Sequence, residues 1–254
     1  MSLLWADRLL LSLEPHALAA LRLSGGPKAR VLARSRVEAD PGYGTEPWHG
    51  VLDALKREAQ AWRSVRARVE VVLSNHFVRY ALVAPQGSAA SRDEELALAR
   101  FQFAKIHGER AKGWEVRVSR ERGAAQLACA VDAALVAELK ACFAAGKARL
   151  ASVQPLLMSA FNRWRSRIPK DGAWLALGEP DRVCLALVAA DGWRALHNGR
   201  GHAAAAQDWS ELIQRERQRS SGETLPRLVL MRPAARPDLL PLDDEPQPMT
   251  LAAA

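Results

Sequence analysis

The chain has 254 residues, 49% apolar and 25% charged, enough to bury a sizeable core in one large domain or two smaller ones. No run approaches the roughly 18 uninterrupted apolar residues of a membrane span. Met1–Arg8 lacks the basic start and apolar stretch of a signal peptide, so the sequence reads as cytoplasmic.

Net charge is +8, from 36 Lys and Arg against 28 Asp and Glu. Such an excess suits nucleic acid or an acidic membrane surface. It is scattered, however, and no five consecutive residues are basic. The densest groups, Arg63 to Arg68 and Arg163 to Arg167, sit at the ends of helical patterns, where cations favour the helix dipole. Cys129, Cys142 and Cys184 have neither metal-ligand nor disulfide spacing and read as small hydrophobes.

In chain order, residues 8–13, 16–23 and 29–36 read as three short antiparallel strands joined by Glu14-Pro15 and Gly25-Gly26-Pro27. A Gly/Pro-rich loop at 40–47 leads to a helical pattern from Trp48 to Arg66, with Val51, Leu52, Leu55, Ala59 and Trp62 on one face. Strand 68–73 follows, then a polar break at Ser74-Asn75-His76, then strand 77–84. After the Pro85–Ser91 loop, Ser91 and Glu94 have capping-box spacing, and helix 92–107 carries Leu96, Ala99, Phe103 and Ile106 as its buried stripe. Strands 114–119 and 124–130 come next. Helix 132–146 is capped by Asp132, strand 148–153 is short, and Pro155 is expected in the first turn of helix 155–167.

Ile168-Pro169-Lys170-Asp171-Gly172 reads as a boundary between domains. Beyond it the opening order recurs: strands at 174–177, 182–188 and 193–198, a helix at 207–219 and a strand at 228–231. The division expected is therefore 1–168, 171–231, and a Pro-rich disordered tail at 232–254. Each unit runs β-β-β-α-β, a repeat of element order rather than of residues.

That order is the order of the actin-like, or ribonuclease-H-like, ATPase fold. The stretch Val72 to Val83, with Glu94 to Phe103 and Ser152 to Leu157 downstream, resembles the PilM-like proteins and the actin-like domain of the GspL/MshI-like group. The resemblance covers about residues 5–231. It implies a two-lobed α/β fold of mixed sheets with flanking helices, here with a shortened second lobe. It also implies a cytoplasmic scaffold that docks the cytosolic tail of a bitopic inner-membrane partner in pilus assembly or type II secretion.

An actin-like ATPase needs glycine-containing hairpin turns whose N–H groups cradle phosphates, and carboxylates that organise a metal. The first hairpin, Leu11 to His16, has no glycine, and Pro15 removes a donor. Glu14 is its lone acid. The second, Leu177-Gly178-Glu179-Pro180-Asp181, has a glycine and two acids but again a proline. Ordinary turn chemistry accounts for both, so Glu14, Gly178 and Asp181 are weak cofactor-binding candidates, and no cofactor, metal or catalytic residue is expected. Ser74 and His76 share one face of an extended strand at a reach poor for a nucleophile and its base.

Eight tryptophans against two tyrosines is unusual. Core packing is the ordinary role for each, yet tryptophan and arginine also dominate interfaces. Arg79, Phe161, Arg163 and Trp164 are the partner-binding candidates. The expected function is a catalytically silent scaffold, able to pair with a second copy, peripheral to the membrane at most and without specific nucleic acid. The alternatives are a divergent ATPase of the same fold and a nucleic-acid-associated ribonuclease-H-like protein.

Overall fold

The computed structural model describes residues 6–40, 46–84, 91–119, 125–201, 206–219, 226–232 and 247–250. Most of the loops expected at 40–47 and 85–91, His202, and 233–246 and 251–254 of the tail lie outside the described residues.

Two compact units emerge. The first holds the chain up to Val78 together with Val131–Ser159. Its meander is β1 (Asp7–Glu14), β2 (Ala17–Leu23) and β3 (Val31–Glu38). Helix α1 (His49–Trp62) crosses over to β4 (Ala67–Leu73), which pairs parallel with β1, Leu9 beside Val69. Helix α3 (Ala133–Cys142) leads to β8 (Arg149–Pro155), parallel to β4, so the sheet order is β3-β2-β1-β4-β8. Leu9 to Leu13 of β1 are all buried. A strand with both faces covered reads as a continuous apolar run instead of an alternation, which is why LLLSL stands at the sheet centre. The edge strand β3 is exposed along nearly all its length. Val51, Leu52, Leu55 and Ala59 are buried as the helical period requires, and Lys56 of α1 pairs with Glu138 of α3 at 3.0 Å.

Within the second unit, β5 (Val78–Val83), β7 (Gln126–Asp132) and β6 (Trp114–Val118) form a three-stranded sheet in that order. Helix α2 (Arg92–His107) packs on it through Ala99 and Phe103, with Leu96 partly buried. Both halves of the Ser91–Glu94 capping box are formed. Ile106, however, is 68% exposed. The inward position in the last turn belongs to His107, whose ring lies 4.9 Å from Trp114. Burial thus steps by four residues from Ala99 to Phe103 to His107, and Ile106 turns outward.

The other sheet of this unit repeats the first unit's plan. Strands β9 (Ala173–Glu179), β10 (Arg182–Ala189) and β11 (Gly192–Arg200) form a meander, α5 (Ala206–Arg219) crosses over, and β12 (Leu228–Arg232) pairs parallel with β9. β9 is buried at all seven positions. Trp174, Leu185, Leu187, Trp209, Ile213 and Val229 fill one core. The sheet order, β11-β10-β9-β12-β13, corresponds to that of the first. Its last strand, β13 (Gln247–Thr250), corrects an expectation: this part of the Pro-rich tail pairs antiparallel with β12, and Met249 packs on the core.

Pro155 is also placed differently. It is the last residue of the edge strand β8, beside Leu73, and α4 (Leu156–Trp164) starts one residue later. An edge strand tolerates the missing N–H. The boundary expected at 168–172 falls between a 3-10 turn at Arg165–Arg167 and β9, whereas the compact units divide by packing at Val78, Ala130 and Ser159.

The indole N–H groups of Trp48, Trp164, Trp174, Trp193 and Trp209 are buried without a hydrogen-bond partner among the described residues. Each such donor costs about 1–3 kcal/mol, offset by the large apolar area of the ring. Trp209→Phe, which removes the donor and keeps a ring, is expected to stay within about 1 kcal/mol of wild type, whereas Trp209→Ala loses about 3–5 kcal/mol. Denaturant unfolding of the two variants distinguishes them, and equal losses would mean that the ring's apolar bulk is not what holds this core.

Candidate functional site

Candidate side chains gather where the buried central strands end. In the first unit, β1 closes on Glu14 and turns through Pro15 and His16 into β2. Glu14 lies 3.5 Å from Arg36 across the sheet, so its carboxylate balances a neighbouring guanidinium. At the end of β4, the corner Ser74-Asn75-His76 is tied to β1 by Ser74 N–H donating to the Leu13 carbonyl at 2.9 Å. Ser74 Oγ and His76 Nδ1 are 2.9 Å apart, closer than an extended strand would place them, because the chain turns here instead of continuing straight. The same Oγ accepts from the His76 backbone N–H at 3.1 Å. Ser74 is 2% exposed and Asn75 fully buried. This enclosed hydroxyl closes the corner through both contacts.

In the second unit, β9 closes on Gly178 and Glu179. Gly178 pairs with Val183 in the regular ladder. Asp181 sits in the turn with φ 56°, a left-handed conformation that Asp tolerates, and its carbonyl accepts from Gly201 N–H at 3.2 Å. Glu179 is buried and is the register partner of Arg182. Arg182 Nη1 donates to Asn198 Oδ1 at 3.4 Å, while its Nε is buried without a partner among the described residues. Burial depresses the Arg182 pKa, and the nearby charges of Arg79 and Arg200 depress it further, against the pull of Glu179. Arg232, at the end of β12, is a buried cation of this unit, whereas Arg182 is half-buried. No local pattern singles out Arg182 or Arg232, since an arginine at the end of a strand normally points to water.

Of the remaining candidates, Arg79 is half-buried on β5. Arg163 is exposed on α4. Phe161 and Trp164 are core residues, 4% and 1% exposed; Phe161 packs 4.9 Å from Trp193, with the Arg165 guanidinium 5.9 Å from its ring. Their burial leaves Arg163 as the exposed one of these three candidates. Among the described residues no group of three or more His, Cys, Asp or Glu is placed to hold a metal, and no helix is long and apolar enough to cross a membrane.

No family model and no curated protein sequence matches this chain. Solved structures do. A Bacteroides thetaiotaomicron protein with an actin-like ATPase fold aligns at a TM-score of 0.58 and 10% identity, over 85% of this chain and 77% of that one. This chain has the actin-like fold. The cytoplasmic domain of EpsL, an inner-membrane component of the type II secretion system of Vibrio cholerae, shares it at a TM-score of 0.57 and 17% identity, over 90% and 83% of the two chains. So does a chain of the PilM–PilN type IV pilus biogenesis complex, at 0.54 and 16%, over 83% of this chain and 66% of that one. The two five-stranded sheets of this actin-like chain each hold a meander whose first strand pairs parallel with the strand after a crossover helix, and that element order is the one expected from the sequence.

Arg79 also acts on His107, whose pKa is lowered first by burial and then by Arg79 and Arg110. A depressed histidine pKa means that the contribution of the neutral ring is intact above the unfolded value of about 6.5 and is lost as pH falls through the lower folded value. Arg79→Gln is expected to move the His107 pKa upward, as read from its imidazole resonances in an NMR titration. An unchanged titration would place Arg79 too far away to matter.

Proposed function

We propose that this protein is a cytoplasmic docking component of a pilus-assembly or type II secretion machine, which binds the cytosolic tail of a bitopic inner-membrane partner and does not hydrolyse nucleotide. The observation that carries this reading is the fold shared with the EpsL cytoplasmic domain and with the PilM–PilN complex. Two features of the chain support it. The first hairpin has Pro15 where a phosphate would need an N–H donor, and its one acid is engaged by Arg36. In the second, Asp181 and its carbonyl serve the turn itself.

Arg79 and Arg163 are the proposed contact residues. Guanidinium groups bind carboxylates bidentately, which suits an acidic or extended tail that also pairs by its backbone. The positive charge of Arg79 and Arg182 beside the β9–β10 turn would suit phosphate as well, so a divergent ATPase is the second reading. The lack of phosphate-type turn chemistry in the first hairpin weighs against it.

The test is affinity capture with the cytosolic tail of a bitopic assembly protein encoded beside this chain, followed by calorimetry. Binding is expected, and Arg79→Glu should weaken it about tenfold or more. Failure of such tails to bind, with wild-type folding confirmed, would overturn the proposal.

A further inference from the structure

In the first unit, an open cavity of about 440 Å³ lies where β1, β4 and β8 begin. Arg66, Arg68, Lys147 and Arg149 line it together with small apolar residues, and among the described residues no acid does. Its wall is built by close backbone packing. Lys147 N–H donates to the Arg63 carbonyl at 2.8 Å, and a Cβ on Gly146 would meet that oxygen at 3.2 Å.

Two of these cations stand side by side. Arg68 and Arg149 are register partners in the parallel β4–β8 pair, an arrangement in which like charges repel. Glu70, two residues along β4 from Arg68, is held on both carboxylate oxygens by Arg8 at 3.2 Å; Arg68 Nε reaches it only at 4.0 Å. Arg149 Nη1 donates to the Ala144 carbonyl just beyond α3, so attraction to a helix C-terminus explains that one cation. It does not explain Arg68, 64% exposed on a strand, or Lys147.

We propose that this cavity binds a small soluble ligand bearing two or more phosphate-type charges, of the size of pyrophosphate. Cations drawn from two neighbouring strands and the turn before β8 can divide such a charge among them, with arginine contacting paired oxygens. The position is at the opposite end of β1 from the β1–β2 hairpin. Parallel sheets usually bind ligands at the carboxyl ends of their strands, whereas this cavity is at the amino ends of β1, β4 and β8. It does not depend on the docking of a membrane partner.

The test is calorimetric titration of inorganic pyrophosphate into the full chain. Saturable sub-millimolar binding is expected, weakened about tenfold or more in Arg68→Glu with Arg149→Glu and unchanged in Arg117→Glu, which alters an exposed cation of the second unit. Thermal unfolding checks the double variant; should it not fold, Arg68→Gln alone must weaken binding. No saturable binding, or equal weakening by Arg117→Glu, overturns the site. Binding to phosphatidylglycerol vesicles without binding to pyrophosphate also overturns it, by giving this surface to a membrane.

Discussion

The parallel pairing of β1 with β4, and of β9 with β12, is the constraint on which the rest of the molecule depends. A parallel neighbour cannot be reached by a tight turn, so each pair requires a crossover, supplied by α1 and by α5. Strands placed inside such sheets are covered on both faces. β1 accordingly buries the run from Leu9 to Leu13 and β9 all seven of its residues, and charged side chains are displaced to the strand ends. Glu14, Ser74, Glu179, Arg182 and Arg232 all stand at or just beyond such ends. The candidate sites are therefore where the fold permits polarity.

Much of this plan was legible in the sequence because its signals are local. Apolar runs closed by Glu14-Pro15 and Glu179-Pro180 mark both central hairpins, and Ser91 with Glu94 marks the start of α2. The recurrence of three strands, a helix and a strand on either side of 168 was visible as element order. What was not legible depends on long-range geometry. Helical spacing alone cannot choose Ile106 or His107 as the inward residue of α2; the aromatic neighbour Trp114 decides it. The strand at 247–250 looks like tail until β12 offers it an edge. The Ser74–His76 contact depends on a chain turn, and the juxtaposition of Arg68 with Arg149 joins residues far apart in sequence.

The two ends of the first sheet carry different chemistry. At its hairpin end stand Pro15, which has no N–H to donate, and Glu14, ion-paired with Arg36. At the other end, four cations line a cavity without an acid among the described residues. Under the proposals above, phosphate-type chemistry belongs to the strand starts of the first sheet and not to its hairpin. Fold alone assigns no activity; the chemistry at these strand ends must do so.

The central claim, that the hairpins of this actin-like fold do not hold nucleotide, is tested most directly by calorimetric titration with ATP and magnesium, repeated in the Arg68→Glu, Arg149→Glu background to remove binding at the cavity. No saturable binding tighter than millimolar is predicted in that background. Micromolar binding there would contradict the account and make the protein a divergent member of the nucleotide-binding actin-like proteins.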